Sequence, residues 1–232
     1  MGINNRLHFS LKDKKGVFKL EILNNKVFLF GLVLKIVLSF LFAGKYLKDA
    51  FIPFVSYFFD SGFSNSYEFF YNSGASDAFP YPPLMLYFLG FLGGFASNLS
   101  PFFIRIPMLL ADIGILLVLS RLLRGKATKI LKYYWWSPVL IYITYIHGQL
   151  DVVPIMFLLA SSYFLFKKKN IISALVLGLG ITAKTNLVLV IPFYVLYIWK
   201  NNNEKKLAKL VAPAVVTFMV VLILNLPYIN SE

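Results

Sequence analysis

The chain has 232 residues, 59% of them hydrophobic, 18% aromatic and only 14% charged, with a formal net charge of +13. A soluble domain is nearer half apolar and about a quarter charged, so this composition points to several membrane-spanning helices. Cysteine is absent and the only histidines are His8 and His147, which excludes disulfides, thiolate nucleophiles and a Cys- or His-rich metal site. The Lys and Arg excess sits beside apolar runs, the pattern of positive-inside anchoring rather than of a nucleic-acid partner.

In chain order, residues 1–26 form a basic lead with Arg6, Lys12, Lys14, Lys15, Lys19 and Lys26 against Asp13 and Glu21. No small-residue cleavage site follows it, so it is expected as a cytoplasmic N-terminus rather than a cleaved signal. The first span is expected over 27–43. Lys35 lies inside it and must snorkel or find a partner in the bundle. Residues 44–103 make a first outer loop. Its aromatic stretch 51–59 is interrupted by Pro53 and reads as a short interfacial helix. The polar interval that follows holds Asp60, Glu68 and Asp77 and closes on Phe79-Pro80-Tyr81-Pro82-Pro83, where fixed φ angles and missing N–H groups forbid a regular helix.

Residues 84–96 are apolar but short for a span and contain Gly90, Gly93 and Gly94. Were they to cross, Arg121, Arg124, Lys126, Lys129 and Lys132 would fall on the outer face, against the positive-inside rule. A re-entrant or interfacial placement keeps every basic cluster inside. Helices two to seven then occupy 104–226, with spans at 104–119, 135–146, 152–166, 171–183, 187–199 and 210–226. Trp135 and Trp136 are expected as interface anchors. The expected fold is all-α: one polytopic membrane domain, 1–232, of about seven transmembrane helices plus interfacial or re-entrant helices in the first outer loop.

Under this topology the unusual polar groups gather on the outer side: Asp60, Glu68, Asp77, Arg105, His147, Gln149, Asp151 and Lys184. Carboxylates can take a proton from a hydroxyl nucleophile. Arg, Lys, His and Gln can hold a phosphate and stabilise a departing one. The pairing suits transfer of a group from a phosphate-linked lipid carrier. Each residue also has a plainer reading. Asp60 and Glu68 can be solvated loop acids, and Lys184 an interfacial anchor. Asp112, two helical turns from Arg105, is the better bet as a buried structural residue. His147 and Asp151, at i and i+4, face one site only if the helix continues through them. No P-loop, GxGxxG or GxSxG pattern is present, which disfavours nucleotide-driven pumping and serine hydrolysis.

Three segments carry a family resemblance. Phe79-Pro-Tyr-Pro-Pro-Leu-Met-Leu-Tyr87 resembles the Asp-Tyr-Pro-Pro-Leu segment of the GT-C glycosyltransferases that use polyprenyl- or dolichyl-phosphate sugars, including the glucosyltransferases of the N-glycan pathway. His147-Gly-Gln-Leu-Asp151 resembles their His-Gly-His-Phe-Gln motif, and more closely the His-Gly-Gln-x-Asp of prokaryotic relatives. Ala183-Lys184-Thr-Asn-Leu with Ile191-Pro-Phe193 is similar to their Lys-Gln…Leu-Pro-Phe stretch. The segments come in family order over residues 44–200.

The resemblance implies a seven-helix conserved module with an aspartate base in its first outer loop. Asp60 takes the base position, and Asp77 stands near the acid that the family places where Pro80 stands here. Lys184, Arg105, His147, Gln149, Asp151 and Tyr81 become candidate contacts to the donor. It implies inverting transfer from a polyprenyl-phosphate sugar to a glycan or lipid-linked acceptor, without cofactor or metal, at the outer face of a prokaryotic cell membrane. The missing acidic pair argues against the metal-using branches. The chain stops soon after its seventh span, where the family continues, which implies either a fragment or one half of a split enzyme, the second with a C-terminal partner chain. Two rivals remain: a lipid or sugar transporter or flippase, and a non-catalytic subunit of a glycosylation complex.

Overall fold

The computed structural model describes residues 22–93, 101–123, 126–201 and 206–229. Most of the basic lead (1–21), the end of the short apolar stretch (94–96), Arg124 and the turn 202–205 lie outside the described residues.

Every regular element among the described residues is helical. Helix α1 spans Lys26–Leu41, and its Asn25 cap accepts from the Val27 N–H at 2.8 Å, satisfying one of the open donors of the first turn. The first loop then builds α2 (Ile52–Asp60), α3 (Ser66–Asn72) and α4 (Pro83–Gly93). Next come α5 (Pro101–Leu122), the short α6 (Ala127–Ile130) and α7 (Pro138–Ile141), α8 (Val152–Phe166), α9 (Asn170–Ala183), α10 (Ile191–Asn201) and α11 (Lys206–Asn225). Wide π-type turns enter α2 (Leu47–Phe51) and extend α6 (Leu131–Trp135) and α7 (Tyr142–His147). Helices α8 and α9 pack as a hairpin, α5 packs on α8, and α11 packs on α9.

Among the described residues two helices are long and apolar enough to cross a bilayer: Pro101–Leu122, with mean hydropathy 2.2, and Leu207–Tyr228, with 2.5. Val152–Phe166 and Asn170–Ala183 are apolar but shorter, about 21–23 Å at 1.5 Å per residue against roughly 30 Å of hydrocarbon. Large apolar side chains stay exposed along the outer faces, among them Phe30, Phe40, Leu189, Phe193 and Phe218. A soluble monomer rarely leaves so many open.

Charge buried between helices ties the first half together. Lys35 is 1% exposed, and its Nζ lies 2.6 Å from Asp112 Oδ2 on α5. Asp112 also accepts from the Tyr145 hydroxyl at 2.7 Å and the Tyr134 hydroxyl at 2.5 Å. The Lys35 ammonium sits 3.4 Å from the Trp135 ring centroid, a cation–π contact. So the Lys inside α1 finds a partner, as its position required, and Asp112 is a structural residue.

Several local expectations change. Trp135 is fully buried and donates to the Phe28 carbonyl at 3.1 Å; it is a core residue, because its ring covers the Lys35 charge. The expected 135–146 span is broken at Trp136-Ser137 and restarts at Pro138. Pro53 does not interrupt the aromatic helix: it stands at the start of α2, directly after the wide π-type turn Leu47–Phe51, and the helix runs on to Asp60. The 187–199 span begins instead as a 3-10 segment, Thr185–Val190, before α10.

Removing one member of a buried pair leaves the other uncompensated, typically at about 3–5 kcal/mol. Asp112→Asn is therefore expected to lower stability by roughly 3 kcal/mol, with Lys35→Met in the Asp112→Asn background costing little more. Denaturant unfolding in detergent checks this; a loss under about 1 kcal/mol for Asp112→Asn counts against it.

Candidate functional site

The site is built on an apolar platform. Leu150, Val153 and Ala183 are buried in one cluster with Phe51, Phe54, Phe79, Tyr81 and Met85. That cluster fixes the backbone on both sides of Asp151 and just before Lys184, and holds the Pro-stiffened segment against them. Phe54 stacks on Phe79 with centroids 4.8 Å apart, and Phe51 meets the Tyr81 ring edge-on at 5.7 Å. The Tyr67 hydroxyl donates to the Tyr81 carbonyl at 2.7 Å, tying α3 to the segment.

Three motifs that lie far apart in sequence meet here. Asp151 stands at the N-terminus of α8, where the helix dipole favours an anion. Lys184 follows the C-terminus of α9 in extended backbone. Its Nζ lies 2.5 Å from Asp151 Oδ1. The Tyr81 hydroxyl donates to the same oxygen at 3.4 Å, and the Lys184 ammonium lies 5.9 Å from the Tyr81 ring centroid. Tyr81 is buried, while the side chains of Lys184 and Asp151 are 32% and 35% exposed. A ligand can therefore reach the charges, with the ring as a floor. Burial first, then the Asp151 charge, pushes the Tyr81 phenol well above its usual range, so it acts as a donor at neutral pH.

The other expected residues divide. His147 ends the π-turn after α7, and Gly148 at φ 90° breaks the helix behind it. His147 and Asp151 therefore do not share one helix face. His147 and Gln149 are half-buried, and the His147 ring lies 6.3 Å from the Tyr142 ring. The His147 carbonyl is met by the first loop: a Cβ on Gly44 would lie 2.0 Å from that oxygen. Arg105 is 1% exposed. Its guanidinium donates to the Ser39, Phe42 and Ile146 carbonyls, which joins the end of α1 to the backbone beneath the motif. That makes it a positioning residue. Asp60 ends α2, and Asp77 lies in the turn after α3; both are exposed and neither carboxylate makes a hydrogen bond or ion pair among the described residues.

Sequence reasoning did not find the pairing of Lys184 with Asp151 or the role of Tyr67. Among the described residues no group of three or more His, Cys, Asp or Glu could hold a metal. Comparison with protein-family models, curated proteins and solved structures returned no match.

A partly exposed ion pair contributes little to stability, about 0–1 kcal/mol. Lys184→Met is thus expected to leave thermal unfolding nearly unchanged. Gly44→Ala, which forces a side chain onto a backbone oxygen, should cost roughly 1–3 kcal/mol. Equal losses for the two in one thermal-melt series contradict this division.

Proposed function

We propose that the chain is the conserved module of a polytopic membrane glycosyltransferase with about seven spans, its N-terminus cytoplasmic and its site on the outer face. The observation that carries this reading is the meeting of Tyr81, Asp151 and Lys184. Each comes from one of the three segments that resemble the GT-C enzymes, and nothing in their sequence separation requires them to touch.

The reaction follows from the groups present. A polyprenyl-phosphate sugar enters from the bilayer with its phosphate at Lys184, whose Asp151 contact orients the ammonium in the absence of ligand. An acceptor hydroxyl attacks the anomeric carbon. The new glycosidic C–O bond forms as the bond from the sugar to the phosphate oxygen breaks, and the configuration inverts. The hydroxyl proton passes to a carboxylate, and the lipid phosphate leaves with its charge met by Lys184. Asp60 is the base we assign, since its carboxylate is exposed and unbonded. It ends α2, the helix entered through Phe51, whose ring meets the Tyr81 ring. Asp77 is the alternative base. The acceptor is a glycan or lipid-linked group.

Lys184→Met should abolish sugar transfer from a polyprenyl-phosphate donor while leaving the protein folded. Asp60→Asn should lower turnover by roughly 100-fold or more with donor binding intact. Wild-type turnover in Asp60→Asn moves the base to Asp77, and wild-type transfer in Lys184→Met removes the phosphate site altogether.

A further inference from the structure

Two cavities lie end to end between α9, α10 and α11, away from the site above. The first, about 260 Å³, is lined by Leu177, Ile181, Val188, Val195, Phe218 and Val221, among others. The hydroxyls in its wall already have partners: Ser173 donates to the Ser161 carbonyl at 2.9 Å, Thr217 to the Ala174 carbonyl at 3.0 Å, and Tyr194 lies 2.9 Å from the Ser162 hydroxyl. The wall therefore offers carbon, and a space of that kind takes an apolar chain rather than water. The second cavity, about 630 Å³, opens beside Lys168, Lys209, Asn201 and Tyr197. Leu165, Asn170, Ile198 and Pro213 line both, so the two are continuous. The Lys168 and Lys209 ammonium groups have no ion-pair or hydrogen-bond partner among the described residues.

We propose that this composite groove binds an anionic phospholipid, with its phosphate between Lys168 and Lys209 and one acyl chain in the apolar cavity. Charge and length both favour that occupant. Two ammonium groups at the mouth select a phosphate with net negative charge over a zwitterionic headgroup. From Asn170 to Ile181 the groove follows α9 for about 17 Å, near the roughly 15 Å of one hydrocarbon leaflet. The mouth is at the Asn170 end of α9 and Lys184 follows its other end, so this lipid does not compete for the Asp151–Lys184 pair. By the positive-inside pattern the mouth faces the cytoplasmic leaflet, where anionic lipids attract basic segments. The proposal does not depend on the transferase reading.

Native mass spectrometry of the full chain, equilibrated in detergent with equimolar phosphatidylglycerol and phosphatidylcholine, tests it. The expected result is at least tenfold greater retention of phosphatidylglycerol. Lys168→Gln with Lys209→Gln should reduce that preference below threefold, and Ala214→Phe, which fills the apolar cavity, should lower retention of both lipids. Both changes are at exposed positions, and unchanged helicity confirms folded variants. Equal retention of the two lipids by the unaltered chain overturns the proposal without recourse to any variant. So does a preference that survives the double substitution, or retention unaffected by Ala214→Phe.

Discussion

An ammonium group in the middle of an apolar helix has to be met by an anion, and the Lys35–Asp112 pair is how this chain meets it. Taking both charges out of water is expensive, and a pair alone seldom compensates in full. Here two tyrosine hydroxyls complete the carboxylate and an indole face covers the ammonium. Those partners come from α1, α5 and the π-turns that follow α6 and α7, so satisfying one charge fixes four segments at once. The pair thus specifies an arrangement more than it adds stability.

The candidate site stands on that frame. Arg105, about two turns before Asp112 on α5, converts the frame into a floor by gathering the Ser39, Phe42 and Ile146 carbonyls. The Gly44–His147 approach and the aromatic packing of the first loop then place Tyr81 over the ends of α8 and α9. Chemistry-bearing side chains at helix ends, held by a core of rings just beneath, can stay open to a ligand without loosening the fold.

How much of this was legible depends on the range of the interaction. Hydropathy runs located α8 over 152–166 and came within a residue of α9, because a long apolar segment bounded by charges leaves few alternatives. The three motifs were legible as unusual residues in ordered succession. Their convergence was not, since 33 residues separate Asp151 from Lys184 and 70 separate Tyr81 from Asp151. Trp135 was misjudged for a related reason. A tryptophan at the start of an apolar run has the same local pattern whether it faces headgroups or a buried lysine, and only the tertiary partner decides. The break at Gly148 was similarly hidden, because i,i+4 spacing describes a helix that the left-handed glycine ends.

The indole that caps Lys35 has an optical consequence. Of three tryptophans, Trp199 is exposed and Trp136 partly so, while Trp135 is shut away with an ammonium on its π face and its N–H held by a carbonyl. The protein therefore contains its own chromophore in contact with the central charge. Any rearrangement that draws α1 away from α5 changes the electric field at that ring, and emission from one native residue reports the event without a label.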